Sequence, residues 1–138
     1  MINFIGVKIA LINDDKLLMI QRDNKPSLRY AGLWDFPGGG REDNETPEEC
    51  IIREVDEELG IKLSPQQITY RKVHSAMHDP SLNAYFMVAK ITDKDIEGII
   101  FGNEGRGWRM FGFDEFMNSN QVVGPLKGRL ETYFETKV

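Results

Sequence analysis

The sequence contains a single cysteine, Cys50, and only two histidines, His74 and His78. One thiol cannot form an internal disulfide, and it cannot assemble a thiolate metal cluster. The two histidines flank a predicted turn and fit no metal-ligand spacing. We therefore interpret all three residues as structural. We expect a reducing compartment, with the cytoplasm as the default location.

Long hydrophobic runs are also missing from the sequence. The apolar stretch 4–12 is interrupted by Lys8, follows no basic leader and is far shorter than a membrane-spanning helix. The sequence has no low-complexity tract and no internal repeat, which excludes disordered, collagen-like and propeller classes. We expect no membrane partner, and residues 4–12 predict a first strand.

The chain lacks an excess of positive charge, because its formal net charge is −5. Such a chain has no broad basic surface for duplex nucleic acid, and we expect no partner of that kind. An acidic protein can still bind phosphates when a metal ion carries the positive charge. The charge of the chain is therefore compatible with a small nucleotide as substrate.

The length of 138 residues fits a single domain, residues 1–138. The hydrophobic patterns predict strands at 4–12, 16–21, 66–75, 82–91 and 107–113, and helices at 46–59, 114–117 and 125–136. A polar loop is predicted at 22–33, and a brief extended segment at 33–36 is ended by Pro37 and the glycine run 38–40. Strands and helices mix without strict βαβ alternation, which favours an α/β (α+β) fold with a mixed sheet.

The boundaries of the helix at 46–59 are marked by capping residues. Thr46 is suited to the N-cap, Pro47 to the first helical position, and Glu49 completes a capping box three residues after Thr46. Gly60 follows the last periodic residue, as a glycine after a helix C-terminus does. These signals fix both ends of the predicted helix.

This helix carries an unusual concentration of acids. Glu54, Glu57 and Glu58 fall within an arc of roughly 100° on one face, next to the apolar stripe. Arg53 is the one cation of the helix and cannot neutralise its six acids. An acidic helix face is usually solvated. The alternative is a site for a hard divalent ion with oxygen ligands, Mg²⁺ or Mn²⁺.

The context of the acidic helix resembles a known signature. Gly39, five residues, Glu45, seven residues and then residues 53–61, Arg-Glu-Val-Asp-Glu-Glu-Leu-Gly-Ile, match without exception the box of the Nudix (MutT-like) hydrolase family, G-x5-E-x7-R-E-U-x-E-E-x-G-U, where U is aliphatic. The resemblance implies hydrolysis of a nucleoside diphosphate linked to another group, with one or more divalent cations. It also implies a Nudix-type mixed sheet sandwiched between helices.

The resemblance assigns the metal ligands. Glu54, Glu57 and Glu58 would bind Mg²⁺, with Mn²⁺ as a substitute, and a backbone carbonyl at Gly38 or Gly39 would join them. The implied metal site is therefore made of oxygen atoms only, which suits a hard cation.

The resemblance also assigns supporting and catalytic roles. Arg53 would orient the box carboxylates, and Glu45 would support that ion pair. Glu104, in a predicted loop, resembles a glutamate that in MutT-like enzymes serves as metal ligand or general base; the alternative is a solvated loop acid. Glu54 is the rival base, because a carboxylate touching both metal and water can take the proton.

Candidate substrate contacts come from a looser resemblance to the MutT-like subgroup. Residues 34–39, Trp-Asp-Phe-Pro-Gly-Gly, are similar to the segment before the box there, although Asp35 stands where glutamate is common. Phe36 either stacks on a base or packs in the core, and Asn120 either bonds a base edge or serves the loop. Arg22 is the first candidate among four loop cations that either steer phosphates or are solvated: Arg22, Lys25, Arg29 and Arg106.

Three functions are compatible with these patterns. The first is a Mg²⁺-dependent pyrophosphohydrolase that converts a nucleoside triphosphate, including an oxidised one, to monophosphate and pyrophosphate. The second cleaves another nucleoside diphosphate derivative, such as ADP-ribose or a nucleotide sugar. The third is a nucleotide-binding Nudix module without turnover, against which the intact acidic trio argues. The sequence leaves the oligomeric state open.

Overall fold

The structure is a computed structural model that describes residues 2–137; residues 1 and 138, the ends of the predicted domain, lie outside the described part. Within residues 2–137, seven strands and four α-helices follow one another in a mixed order. The strands are β1 (Gly6–Asn13), β2 (Lys16–Gln21), β3 (Trp34–Asp35), β4 (Gly38–Gly40), β5 (Ile68–Ser75), β6 (Asn83–Lys90) and β7 (Gly107–Gly112). The helices are α1 (Pro47–Leu59), α2 (Asp93–Glu97), α3 (Phe113–Asn118) and α4 (Pro125–Glu135).

The strands form one mixed sheet in which β1 is central. β1 pairs in parallel with β6, with Val7 opposite Tyr85, and antiparallel with both β2 and β4. The path through the sheet runs β3-β2-β1-β6-β5, with β7 paired to β2. The predicted mixed sheet is confirmed, since parallel and antiparallel neighbours occur on the same strand.

Helices cover both faces of this sheet, because alternate residues of a strand point to opposite sides. One buried cluster joins Ile9 and Leu11 of β1 to the apolar stripe of α1, which includes Val55. A second cluster joins the other face to α3 and α4, where Phe116 and Leu130 are buried. The predicted sandwich of a sheet between helices is confirmed.

The glycine run 38–40 differs from its prediction. We expected a turn there, but these residues form a short strand whose Gly38 lies opposite Lys8 of β1. Gly38 has a φ of 144°, and an added Cβ would overlap the carbonyl oxygen of Val7. Gly38 is therefore needed for close backbone approach within the sheet, since a side chain at this position has no room.

Other strand and helix boundaries differ from the predicted ones by a few residues, for reasons local to each element. β5 begins at Ile68 because Ser64 and Pro65 start a short 3₁₀ turn ahead of it. Helix α2 was not predicted, although Thr92 and Asp95 form a capping box that marks its start. Between residues 2 and 137, no helix is both long enough and apolar enough to span a bilayer.

Candidate functional site

Helix α1 positions the acidic side chains beside strand β4. Its N-cap Thr46 accepts from the Glu49 N–H while the Glu49 side chain accepts from the Thr46 N–H, so the predicted capping box is present. Gly60 ends the helix with a φ of 68°. The buried stripe of α1 faces the sheet, and the helix therefore holds a fixed rotation about its own axis.

The backbone of β4 lies against the carboxylates of α1. The Gly38 N–H donates to Glu58 Oε1 at 2.8 Å. A Cβ on Gly39 would lie 2.5 Å from Glu54 Oε1. The two glycines let the main chain approach both carboxylates, which brings Gly38, Gly39, Glu54 and Glu58 together.

Arg53 is the centre of an ion-pair network. Its Nε donates to Glu45 Oε2 at 2.7 Å and its Nη2 donates to Glu45 Oε1 at 3.0 Å, so the pair is bidentate. Nη2 also donates to the Gly40 carbonyl oxygen, and Nη1 contacts Glu54 and Glu57 at 3.1 and 3.2 Å. The guanidinium lowers the pKa of Glu45 to about 2. Arg53 is therefore placed to fix the orientation of these carboxylates.

Burial raises the pKa of two of the three carboxyl groups of Glu54, Glu57 and Glu58. The pKa of Glu58 is raised to about 8, mainly by burial, although Lys8 and the Gly38 N–H oppose the shift. Burial also raises the pKa of Glu54, against the opposing effect of Arg53. Carboxylates that resist ionisation in the protein alone gain most from a bound cation, which supplies the missing positive charge.

The trio does not form a ready-made chelate in the described part of the chain, where no three carboxylate, imidazole or thiol groups already stand as a metal cluster. Glu57 bonds to Arg53 with 58% of its side chain exposed, and Glu58 bonds to Gly38. The donor set is made of oxygen atoms on adjacent turns of one helix and on β4, which fits Mg²⁺ or Mn²⁺.

The raised pKa of Glu58 predicts a pH dependence of stability in the metal-free protein. Between pH 4.5 and about 8 the folded protein keeps a proton that the unfolded chain has lost, so the free energy of unfolding falls as pH rises through this window. We expect the melting temperature of chelator-treated protein to drop from pH 5 to pH 8, and Glu58→Gln to flatten this dependence. Equal slopes for both proteins would contradict the assignment. Mg²⁺ at pH 8 should raise the melting temperature of the wild type more than that of the variant.

A cleft of about 440 Å³ opens beside the acidic helix. Its lining includes Glu58 and Glu104 together with the cations Lys8, Arg22 and Lys25. Glu104 is exposed, and its loop is tied to the end of α1 by the Gly102 N–H, which donates to the Glu58 carbonyl oxygen at 2.9 Å. The structure thus places the predicted Glu104 in the same cleft as the box. The cations make that cleft suitable for phosphate groups.

Lys8 and Asp35 are among the cleft residues that were not predicted as site residues. The Asp35 Oδ2 accepts from Lys8 Nζ at 2.9 Å and from Arg22 Nη1 at 3.0 Å, while only 4% of Asp35 is exposed. The signals in the sequence were a lone lysine inside an apolar strand and an acid between two aromatic residues. A buried strand carries such charges only where they are paired or face a cavity.

The residues that the sequence suggested as substrate contacts lie in different parts of the structure. Arg22 and Lys25 line the cleft, which does not include Arg29 or Arg106. Phe36 borders the cleft but is only 1% exposed, and its ring stacks on Phe116 with centroids 5.2 Å apart. Asn120 lies outside the cleft lining, in the exposed connection between α3 and α4, where its side-chain oxygen accepts from Gln121.

Cys50 and His74, two of the three residues interpreted as structural, lie within a helix and a strand of the fold. Cys50 is buried in α1, and burial raises the pKa of its thiol to about 12. The thiol therefore stays protonated and unreactive near neutral pH. His74 lies on β5 with its ring near Phe86.

Comparison with known proteins identifies a family and several relatives of the chain. The family model described as NUDIX domain matches residues 3–129. An 8-oxo-dGTP diphosphatase of Proteus vulgaris is 58% identical over 50 residues, which are 36% of this chain and 43% of that protein. An RNA pyrophosphohydrolase of Zymomonas mobilis is 32% identical over 122 residues, which cover 83% of this chain and 69% of that protein.

Solved structures show the same fold. A bifunctional NMN adenylyltransferase/ADP ribose pyrophosphatase of Francisella tularensis, complexed with AMP and a Mn ion, superposes with a TM-score of 0.76 at 22% identity. The match covers 97% of this chain and 42% of that one. The chain spans less than half the length of the first curated relatives that it matches.

Proposed function

The chain belongs to the NUDIX family of hydrolases, and from that premise we propose that it is a Mg²⁺-dependent pyrophosphohydrolase, with Mn²⁺ as a substitute. It converts a nucleoside triphosphate, including an oxidised one, to a monophosphate and pyrophosphate. The observation that carries the proposal is a complete box in which Glu54 and Glu58 lie against β4 beside a cleft lined by cations.

The box residues would hold the metal. Glu54, Glu57 and Glu58 supply carboxylate oxygens, a main-chain carbonyl of Gly38 or Gly39 joins them, and Glu104 reaches the same cleft. When bound, the ion lowers the pKa of a water and stabilises charge on the phosphate oxygens. This oxygen-only ligand set is the reason for proposing Mg²⁺ first.

Other residues of the chain orient the reactants. Arg53 holds Glu54 through Nη1 at 3.1 Å, so the carboxylate has a fixed position from which to take a proton from the attacking water. Glu104 is the alternative base, since it lines the cleft. Arg22 and Lys25 line the same cleft, where their positive charge would offset the negative charge of substrate phosphates.

The same box also suits a second class of substrate. ADP-ribose and nucleotide sugars carry a diphosphate, and the ADP ribose pyrophosphatase of Francisella tularensis has the same fold. The polar cleft binds the shared diphosphate and discriminates little between the groups attached to it.

A Nudix module that binds without turnover is the third candidate, but such a binder has no need for Glu54, Glu57 and Glu58 together.

We also propose that residues 1–138 act as one domain in the cytoplasm. The buried Cys50 suits a reducing compartment. The net charge of −5 gives no electrostatic reason for binding duplex nucleic acid or an anionic membrane.

A substrate panel tests the proposed function. Purified protein is incubated with Mg²⁺ and nucleoside triphosphates, 8-oxo-dGTP, ADP-ribose and nucleotide sugars, and products are separated by ion-exchange chromatography. We expect pyrophosphate and a monophosphate from at least one triphosphate, and no products when a chelator replaces Mg²⁺. Two phosphate monoesters from ADP-ribose or a sugar derivative would favour the second class. Nucleotide that is bound but uncleaved would favour the binding module.

A further inference from the structure

Residues 98–106 connect helix α2 to strand β7 and carry Glu104 to the lining of the cleft. The Glu104 side chain is exposed, and exposed side chains on loops move freely unless the main chain holds them. A metal ligand or a general base works only when it is held within about 0.5 Å of its productive position. The backbone on either side of Glu104 is therefore what can fix its position.

The first fixed point of this loop is the C-terminal end of α1. The Gly102 N–H donates to the Glu58 carbonyl oxygen at 2.9 Å, and the Ile100 N–H donates to the Leu59 carbonyl oxygen at 2.9 Å. Both acceptors belong to the last turn of the helix, where carbonyl groups have no partner within the helix itself. The loop is thus hydrogen-bonded to the turn that carries the Glu57 and Glu58 side chains.

This contact requires a glycine at position 102. A Cβ added to Gly102 would overlap the Glu57 carbonyl oxygen. That oxygen belongs to the helix backbone, so it cannot rotate out of the way as the end of a side chain could. A larger residue would therefore separate the loop from α1, because the close approach of the two backbones depends on the absence of a side chain.

The second fixed point lies at the end of β2. The Gly105 N–H donates to Asp23 Oδ2 at 3.4 Å, and the Arg106 N–H donates to the Gln21 carbonyl oxygen at 2.8 Å. Gly105 has a φ of 90°, and a Cβ there would lie 2.8 Å from the same Gln21 oxygen. A glycine is therefore required here for its backbone conformation and for its lack of a side chain.

Only Asn103 and Glu104 stand between the two fixed points. Resting on the proposed function, we infer that Gly102 and Gly105 are positioning residues, which hold Glu104 in the cleft for its part in the metal-dependent step. Gly102 also ties this loop to the turn of α1 that carries two of the box carboxylates. The two parts of the site, which are far apart in sequence, thereby keep one relative position.

A double-mutant cycle with Gly102→Ala and Glu104→Gln tests this inference. The kcat and KM values are measured with saturating Mg²⁺ on the nucleotide that the wild type hydrolyses fastest. Each single variant should lower kcat at least about 10-fold and leave KM within about threefold, since the lost group acts in the reaction step. The double variant should stay within about threefold of Glu104→Gln alone, because a displaced carboxylate has no further effect to lose. A purely structural role for Gly102 would instead make the two losses multiply.

Gly98→Ala is the matched control, because it makes the same change in the same connection. Within the described chain, the atom nearest to a Cβ at Gly98 would be the Lys94 carbonyl oxygen at 3.5 Å, an ordinary contact. Its kcat should stay within about twofold of the wild type. Insertion of one glycine between Asn103 and Glu104 keeps both fixed points but frees the carboxylate. This insertion should reproduce the kcat loss at little cost in melting temperature, and it replaces Gly102→Ala in the cycle if that variant does not fold.

The affinity for Mn²⁺ without nucleotide, from the electron paramagnetic resonance signal of the free ion, gives a readout that needs no turnover. Losses that do not multiply between Glu104 and its loop, in kcat or in Mn²⁺ affinity, support the inference. It is overturned if Glu104→Gln matches the wild type in both quantities, if either folded loop variant does so, or if the losses multiply. Absence of hydrolysis for every nucleotide counts against the proposed function alone, because the Mn²⁺ affinities then decide the inference. A wild type that also fails to bind Mn²⁺ overturns both.

Discussion

Replacement of Glu57 by glutamine is expected to lower kcat at least about 100-fold on the preferred nucleoside triphosphate, because an amide is a weak ligand for a hard cation and loses the negative charge. The fold should survive. The carboxylate is 58% exposed and its side-chain contact is the edge of Arg53 at 3.2 Å. Initial rates measured over a range of Mg²⁺ concentrations test this expectation, and the variant should also need more Mg²⁺ for half of its residual rate.

Glu48→Gln provides the matched control for that variant. Glu48 lies on the same helix and receives the same chemical change, but it pairs with Arg71 near the first turn. Its kcat should stay within about twofold of the wild type, and both variants should melt within a few degrees of it. If Glu57→Gln retained a near-normal rate, the acidic face of α1 would be a solvated surface and the proposed metal site would be wrong.

The helix and its acidic face were predictable because their signals are local. Thr46, Pro47 and Glu49 mark the start of α1 and Gly60 marks its end, each within one helical turn of the boundary. The spacing of 54, 57 and 58 places three carboxylates on one face in any helix. The grouping of these carboxylates on one face therefore follows from the helix alone and does not depend on tertiary structure.

The strand character of residues 38–40 depended on a partner far away in sequence. Three consecutive glycines favour a turn when considered alone. Pairing with β1 overrides this tendency, since Gly38 lies opposite Lys8 and the backbone of β4 fits between β1 and the carboxylates of α1. Such close approach appears only when the sheet and helix are assembled.

Lys8 and Asp35 escaped prediction as site residues for the same reason. They stand on two different strands, and each one alone is an ordinary charge in a strand. Their significance comes from burial and from the ion pair between them, which depend on packing. Phe36 shows the reverse case, because an aromatic residue before the glycine run is compatible with both core and site until its 1% exposure is known.

Replacement of Arg53 by glutamine is expected to reduce both stability and turnover. Loss of the guanidinium leaves Glu45 without its bidentate partner and frees Glu54 and Glu57 from a common anchor. We expect the free energy of unfolding at pH 7 to fall by about 2–4 kcal/mol, as for a partly buried charged network that loses its central partner. The value of kcat should fall at least about 100-fold, since the carboxylates lose their orientation.

The stability loss in this variant should depend on pH in a direction set by Glu45. Its pKa is about 2 in the folded protein against 4.5 for the free side chain, so the pair contributes fully above pH 4.5 and is lost as pH falls toward 2. Urea unfolding at pH 7, 5 and 3 should therefore show a deficit for Arg53→Gln that shrinks below pH 4.5. Arg71→Gln, at an exposed pair, should stay within about 0.5 kcal/mol of the wild type throughout. A deficit that is constant down to pH 3 would mean that Arg53 stabilises the protein through packing of its aliphatic stem, and its role as anchor of the box carboxylates would lose its electrostatic basis.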